Sequence, residues 1–227
     1  MTTNTRMLVS VRNAEEALLA AAGGADFIDL KEPRAGALGG LTVTTITEIV
    51  NALRRAGSTL PTSATIGDLP MQPLAPLLAQ VRAVAECGVT YVKVGITRDP
   101  AASELLRQLA GCGTAIVPVF IADRGLEMAQ VNEACALGFP ALMVDTADKL
   151  VGSLFDVIEL TALRQFLQAV HGAGKLAGLA GALRLQHLPA LRELAPDFAG
   201  FRSAVCTADR GSALDPQRLR ELAQALK

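Results

Sequence analysis

Eight short, continuously apolar runs alternate with longer segments of helical periodicity along the whole chain, and few folds accommodate that pattern. The runs are Met7–Ser10, Asp26–Leu30, Thr62–Thr65, Tyr91–Val94, Thr114–Phe120, Ala141–Val144, Leu176–Ala180 and Phe198–Phe201. The segments between and after them predict helices at Asn13–Ala22, Thr44–Ala56, Leu74–Cys87, Ala101–Leu109, Leu126–Leu137, Phe155–His171, Leu188–Leu194 and Asp215–Ala225. Strands that are apolar without alternation are covered on both faces, as in a parallel sheet wrapped by helices. Eight strand–helix units in 227 residues suit a single-domain α/β (β/α)8 barrel spanning residues 1–227, since such barrels take roughly 200–250 residues. A doubly wound open sheet is the competitor. It normally carries a GxGxxG turn after its first strand, and Ser10-Val11-Arg12-Asn13 stands there instead.

A weak internal repeat favours the barrel. The second, fourth, sixth and eighth strands each follow a helix end, run apolar, and finish on a charge: Asp29, Lys93, Asp145 and Arg202. Alternate strands of a barrel contribute to the same interior layer, so these four charges should converge at its C-terminal mouth.

Composition removes several function classes. Half the residues (51%) are hydrophobic and the mean hydropathy is +0.36, which argues against disorder. Aromatics make up 4% and tryptophan is absent, leaving no stacking platform for single-stranded nucleic acid. Charges balance at 21 basic to 22 acidic with no basic run, so the footprint of a nucleic-acid binder is missing. Charge-free stretches are too short and too broken by glycine and proline to span a bilayer. Cys87, Cys112, Cys135 and Cys206 are scattered and read as reduced, mostly buried thiols of a cytoplasmic protein. Two distant histidines, His171 and His187, do not make a metal cluster, and no metal or other cofactor is expected.

The basic residues comprise 16 arginines and only five lysines, at 31, 93, 149, 175 and 227. Three of the five fall at one predicted end of the barrel. In Asp29-Leu30-Lys31-Glu32-Pro33, residues two apart on a strand face the same way, so Asp29 and Lys31 both enter the mouth. Lys93 joins them from the fourth strand, Asp145 from the sixth, and Lys149 from the loop that follows. Gathered ammonium groups depress one another's pKa and favour a neutral amine, which is what attack on a carbonyl requires. Neighbouring carboxylates can move the protons. A set of structural ion pairs is the plainer reading of the same residues.

A phosphate site is a second expectation. Barrels often bind phosphate with the loops after strands seven and eight. Here those loops contain Gly181 and Ala182, and Arg202 and Ser203. Small residues let backbone N–H groups approach an anion, and Arg202 would add charge. Packing is the competing reason for small residues there.

At these residues the sequence resembles the (5-formylfuran-3-yl)methyl phosphate synthase family of methanofuran biosynthesis. The resemblance covers essentially the whole chain. It is carried by Leu8-Val9-Ser10, by Gly23 through Pro33 with Gly36 and Leu38-Gly39, and by Ser63-Ala64-Thr65-Ile66-Gly67-Asp68. It continues in Tyr91-Val92-Lys93-Val94-Gly95, in Met143-Val144-Asp145-Thr146-Ala147 with Lys149 and Leu154-Phe155-Asp156, and in Leu179-Ala180-Gly181. The resemblance implies an enzyme that joins two molecules of glyceraldehyde 3-phosphate into 4-(hydroxymethyl)-2-furancarboxaldehyde phosphate, with loss of phosphate and water. It implies Lys31 as the Schiff-base lysine, with Asp29, Lys93, Asp145 and Lys149 as the other active-site residues. Ala182, where relatives more often have serine, and Arg202-Ser203-Ala204, where some have Arg-Gly, depart from the pattern and bear on individual phosphate contacts. The partners implied are triose phosphates, with no nucleic acid and no membrane, and assembly into a homo-oligomer is left open. A generic lysine Schiff-base aldolase or phosphosugar isomerase, and an inactive barrel that binds a phosphorylated ligand, are the alternatives.

Overall fold

A computed structural model of the protein describes residues 4–36, 38–147 and 152–227. Eight parallel strands close on themselves in sequence order, each hydrogen-bonded to the next and the last to the first. The chain runs β1 (Arg6–Val11), α1 (Ala14–Ala22), β2 (Phe27–Leu30), α2 (Val43–Arg55), β3 (Thr62–Thr65), α3 (Leu74–Glu86), β4 (Tyr91–Ile96) and α4 (Ala102–Ala110). It continues through β5 (Ile116–Ile121), α5 (Met128–Ala136), β6 (Ala141–Asp145), α6 (Leu154–Val157), α7 (Leu160–Gly172), β7 (Leu176–Leu179), α8 (Leu188–Leu194), β8 (Phe198–Phe201) and α9 (Pro216–Ala225). Closure pairs Met7 with Ala199 and Val9 with Phe201. No helix among the described residues is long and apolar enough to cross a membrane.

Strand alternation divides the core in two. Ile28, Leu30, Val92, Val94, Leu142 and Val144 point outward and pack with helix residues such as Ile46, Ile49, Leu105 and Phe166. Phe27, Ala141, Met143 and Phe198 point inward, with Tyr91 and Leu176 against them. Phe27 and Phe198 close the N-terminal end with ring centroids 5.6 Å apart, and the Arg6 guanidinium lies 4.9 Å above the Phe27 ring. The interior is thus filled from below, which leaves the polar layer above it as the floor of the mouth.

Helix ends follow local chemistry. Asn13 caps α1 by accepting from the Glu16 N–H at 2.9 Å, and Asp215 caps α9 through the N–H groups of Gln217 and Arg218, each satisfying donors with no partner inside the helix. One expectation fails. The single helix expected over Phe155–His171 is two, α6 and α7, separated by Ile158 and Glu159 in extended conformation. Asp156 accepts from both the N–H and the hydroxyl of Ser153, while the Leu154 N–H donates to Gly181 O at 2.8 Å. The first turn is therefore docked onto the loop after β7, and the chain must turn before α7 can lie along the barrel. The cysteines are all free, but only Cys87 and Cys206 are buried; Cys112 and Cys135 are half-buried.

Packing at the closed end is tight at Gly178. A Cβ built there would lie 2.1 Å from Phe198 Cε2, and the ring cannot retreat because Phe27 stands beside it. Gly178→Ala is expected to destabilise the protein by about 1–3 kcal/mol through overpacking. Urea denaturation should show a lower midpoint with an unchanged slope.

Candidate active site

β2, β4 and β6 each place polar side chains above the apolar plug by simple alternation. Above Phe27 comes Asp29 and then Lys31; above Tyr91 comes Lys93; above Met143 comes Asp145. All four charged residues are buried, with Lys31 the most accessible at 6%. Groups this desolvated require partners, and each has one. Lys93 Nζ donates to Asp29 Oδ1 at 2.9 Å. Lys31 Nζ donates to Asp145 Oδ2 at 3.3 Å. The lysine two residues from Asp29 in the chain thus pairs across the barrel, with the carboxylate of β6.

Both carboxylates are held by further donors. Asp29 accepts from Ser63 Oγ at 2.6 Å and from Ser10 Oγ at 3.0 Å. Asp145 Oδ1 accepts from the Thr146 N–H at 2.7 Å. Burial alone would raise the Asp29 carboxyl. The Lys93 ammonium, then that of Lys31, together with hydrogen bonds from Lys93 and Ser63, outweigh burial and hold it below its ordinary value. A depressed carboxyl stabilises the fold above its unfolded pKa and loses that contribution as pH falls through the lowered folded value. Asp29 is therefore anionic at neutral pH.

The loop that carries Lys31 is anchored over the mouth. The Lys31 N–H donates to Val11 O and the Glu32 N–H to Gly39 O. Asp68 takes the Leu38 N–H at 3.0 Å, Thr65 Oγ1 donates to Gly39 O at 3.0 Å, and Leu38 is buried at 1%. The amine thus approaches the centre from a fixed backbone.

Gly181, Ala182 and Ser203 line the same cavity as Lys31, Lys93 and Asp145. Gly181 has φ +121°, a conformation suited to glycine, and a Cβ there would meet Thr146 Oγ1 at 2.9 Å. Ala182 is left-handed with φ +48°, a conformation that costs a non-glycine residue on the order of 1 kcal/mol. No acceptor in the described chain takes the N–H groups of Gly181, Ala182 or Ser203. Free N–H groups beside a cavity can bind an anion.

Arg202 borders that cavity, and its guanidinium is engaged by the protein. Its Nε donates to Arg210 O at 2.9 Å, Nη1 to Ser10 O at 3.0 Å and to Glu16 Oε2, and Nη2 to Glu16 Oε1 at 3.0 Å and Ser212 O at 2.7 Å. A guanidinium has five donors, and all five have protein acceptors. A direct phosphate contact through Arg202 would have to exchange one of these bonds. Lys149 lies outside the described residues. His171 bonds Asp197 at 2.9 Å, and His187 Nδ1 accepts from the Arg184 N–H at 3.0 Å.

Sequence reasoning passed over three residues of the site. Ser10 and Ser63 hold Asp29, and their signal was a hydroxyl at an inward strand position. Arg210 also lines the cavity; its signal was an arginine within the turn-forming run Asp209-Arg210-Gly211-Ser212 of the eighth loop.

The chain is similar to known proteins over nearly its whole length. The family model described as 4-HFC-P synthase matches residues 7–223. A Methylorubrum extorquens relative is 35% identical, over 98% of this chain and 92% of its own. The (5-formylfuran-3-yl)methyl phosphate synthase of Archaeoglobus fulgidus is 34% identical, over 97% of this chain and 99% of its own. Among solved structures, a phosphoribosyl anthranilate isomerase from Thermus thermophilus superposes with a TM-score of 0.67 at 18% identity, covering 98% of each chain. That likeness shows the barrel fold alone.

The Asp29–Lys93 pair gives a direct test of the site's electrostatics. Removing one member leaves the other buried without its contacting counter-charge, whereas replacing both by neutral side chains does not. Lys93→Met is expected to cost about 3–5 kcal/mol, and adding Asp29→Asn should recover a large part of it. Chemical denaturation of the single and double variants measures the coupling.

Proposed function

The chain belongs to the 4-HFC-P synthase family, and from that premise we propose that it condenses two molecules of glyceraldehyde 3-phosphate into 4-(hydroxymethyl)-2-furancarboxaldehyde phosphate for a methanofuran-type carrier. The observation that carries this reading is the buried Lys31 amine, 3.3 Å from the Asp145 carboxylate in a cavity that also exposes free N–H groups. The reaction releases one phosphate and two waters, with no net oxidation, so this chain's acids, bases and amines are sufficient in kind. It belongs with free triose phosphates in the cytoplasm.

Lys31 acts as the nucleophile. Its amine adds to the carbonyl carbon of one triose, Asp145 relays the proton to the departing oxygen, and water leaves to form an iminium. The iminium draws electrons from the neighbouring C–H bond, and a carboxylate removes that proton to give an enamine. The enamine expels the phosphate from C3 of the same triose, which leaves an enol whose C3 is nucleophilic. Proton transfer by the carboxylates converts the second triose to its ketone form, and the enol C3 attacks its C2 carbonyl carbon to form the new C–C bond. The C1 hydroxyl of the second triose closes the ring on C2 of the first, two dehydrations make the furan aromatic, and water hydrolyses the iminium to free Lys31 and the formyl group. Lys93, held by Asp29, offsets developing negative charge beside the reacting atoms. Lys149 is assigned to the same cluster by the family likeness. The retained phosphate lies on the N–H groups of Gly181, Ala182 and Ser203.

Borohydride reduces an iminium to a stable secondary amine. With glyceraldehyde 3-phosphate present it is expected to inactivate the protein and to add substrate mass to the peptide containing Lys31. Lys31→Arg keeps the charge but not the nucleophile, and should lose both labelling and furan formation. Full furan synthesis by Lys31→Arg would overturn the covalent role. An aldol or an isomer as the sole product would overturn the condensation and leave the amine chemistry.

Asp145→Asn keeps the side-chain size and removes its proton-transfer ability. Turnover measured well below the unfolding temperature is expected to fall by on the order of 10²–10⁴-fold, while loss of the Lys31 counter-charge lowers the thermal midpoint. Steady-state furan formation measures the first and calorimetry the second.

A further inference from the structure

The loop between β8 and α9 is built around three consecutive backbone carbonyls, each held by arginine. Arg202 donates to Arg210 O and Ser212 O. Arg12 and Arg34 both donate to the carbonyl between them, Gly211 O. Glu16 secures this clamp from α1 by pairing with Arg12 and Arg202, and it is buried at 4%. Asp209 Oδ1 takes the Gly211 N–H at 2.8 Å, which fixes the turn itself.

The clamp holds the main chain of Arg210 and leaves its side chain over the cavity. Arg210 lines the cavity together with Lys31, Asp145, Gly181, Ala182 and Ser203. Its guanidinium makes no hydrogen bond or ion pair with any described residue, although the side chain is half-buried. Burial works against its charge, and Asp145 is the foremost group favouring that charge. A desolvated cation with open donors facing unpaired N–H groups calls for an anion with several acceptor oxygens.

We infer that Arg210 is a side chain that binds the phosphate group at this mouth, supplying a charged contact with donors that, unlike those of Arg202, the described protein does not occupy. The inference rests on the reading of the cavity as a phosphorylated-substrate site. Its planar donor fork matches two phosphate oxygens, while the N–H groups of the β7 and β8 loops take the others. The clamp holds the arginine in place before substrate arrives, so little ordering is lost on binding.

Truncation at Arg210 leaves the loop intact, because the clamp grips its carbonyl and not its side chain. Arg210→Ala and Arg210→Gln are therefore compared with the parent protein. Three readouts are taken: inorganic phosphate affinity by titration calorimetry, KM for glyceraldehyde 3-phosphate, and borohydride labelling by unphosphorylated glyceraldehyde. Both variants are expected to bind inorganic phosphate about 10–100-fold more weakly and to raise KM by a similar factor. Labelling by unphosphorylated glyceraldehyde should be unchanged, which a general disruption of the mouth would not allow. If the parent protein makes no furan yet its phosphate affinity still depends on Arg210, the inference stands and the proposed reaction fails. Parent-like phosphate affinity in both variants overturns the inference, and so does an equal loss of labelling by the unphosphorylated aldehyde.

Discussion

The cross-barrel pairing of Lys31 with Asp145, beside that of Lys93 with Asp29, is the arrangement on which the mouth depends. Closing eight strands forces every second side chain into a narrow interior. Charges placed there lose their water and stay ionised only when opposite charges lie within contact. Two carboxylates and two described amines meet this condition by pairing between strands. A buried ion pair is weak evidence of stabilisation, since well-packed apolar side chains do as well or better. Four such residues at the open end of an otherwise apolar interior are better explained by chemistry that needs amines and carboxylates side by side.

The two pairs are not equivalent. Asp29 is saturated by Ser10, Ser63 and Lys93 and sits deep, so it suits fixing Lys93 and shaping the local field. The Lys31–Asp145 contact is longer at 3.3 Å, and Lys31 enters from a loop rather than from within a strand. A longer contact at the outer edge is easier to open when a carbonyl carbon arrives. The placement suits a division of work under the proposed reaction, with one pair shaped as an electrostatic floor and the other as the contact open to exchange.

A second polar cluster supports the first from outside. Glu16 on α1 joins Arg12 and Arg202, and these arginines reach into the loop after β8. The donors of the arginine expected at the phosphate are taken by the protein, and the loop it holds carries a second arginine, Arg210, that lines the same cavity. Nothing local to Arg202 in the chain distinguishes these roles. They differ because Glu16, 186 residues away in sequence, arrives beneath β8 when the barrel closes.

The amino-acid sequence by itself determined the barrel, the strand order and the end at which charge collects. Strand and helix periods are local properties, and alternation within a strand decides which face each side chain takes. Asp29, Lys31, Lys93 and Asp145 were legible for that reason. The split of the expected Phe155–His171 helix was not, because the contact of Leu154 with Gly181 is made only in the folded chain. Tertiary structure alone decided which carboxylate faces which lysine, which arginine is consumed by the fold and which is left over the cavity. Those outcomes depend on the stagger between strands and on contacts spanning up to the whole length of the chain. A local pattern carries no information about such distances, and a buried charge takes whichever partner closure brings within reach.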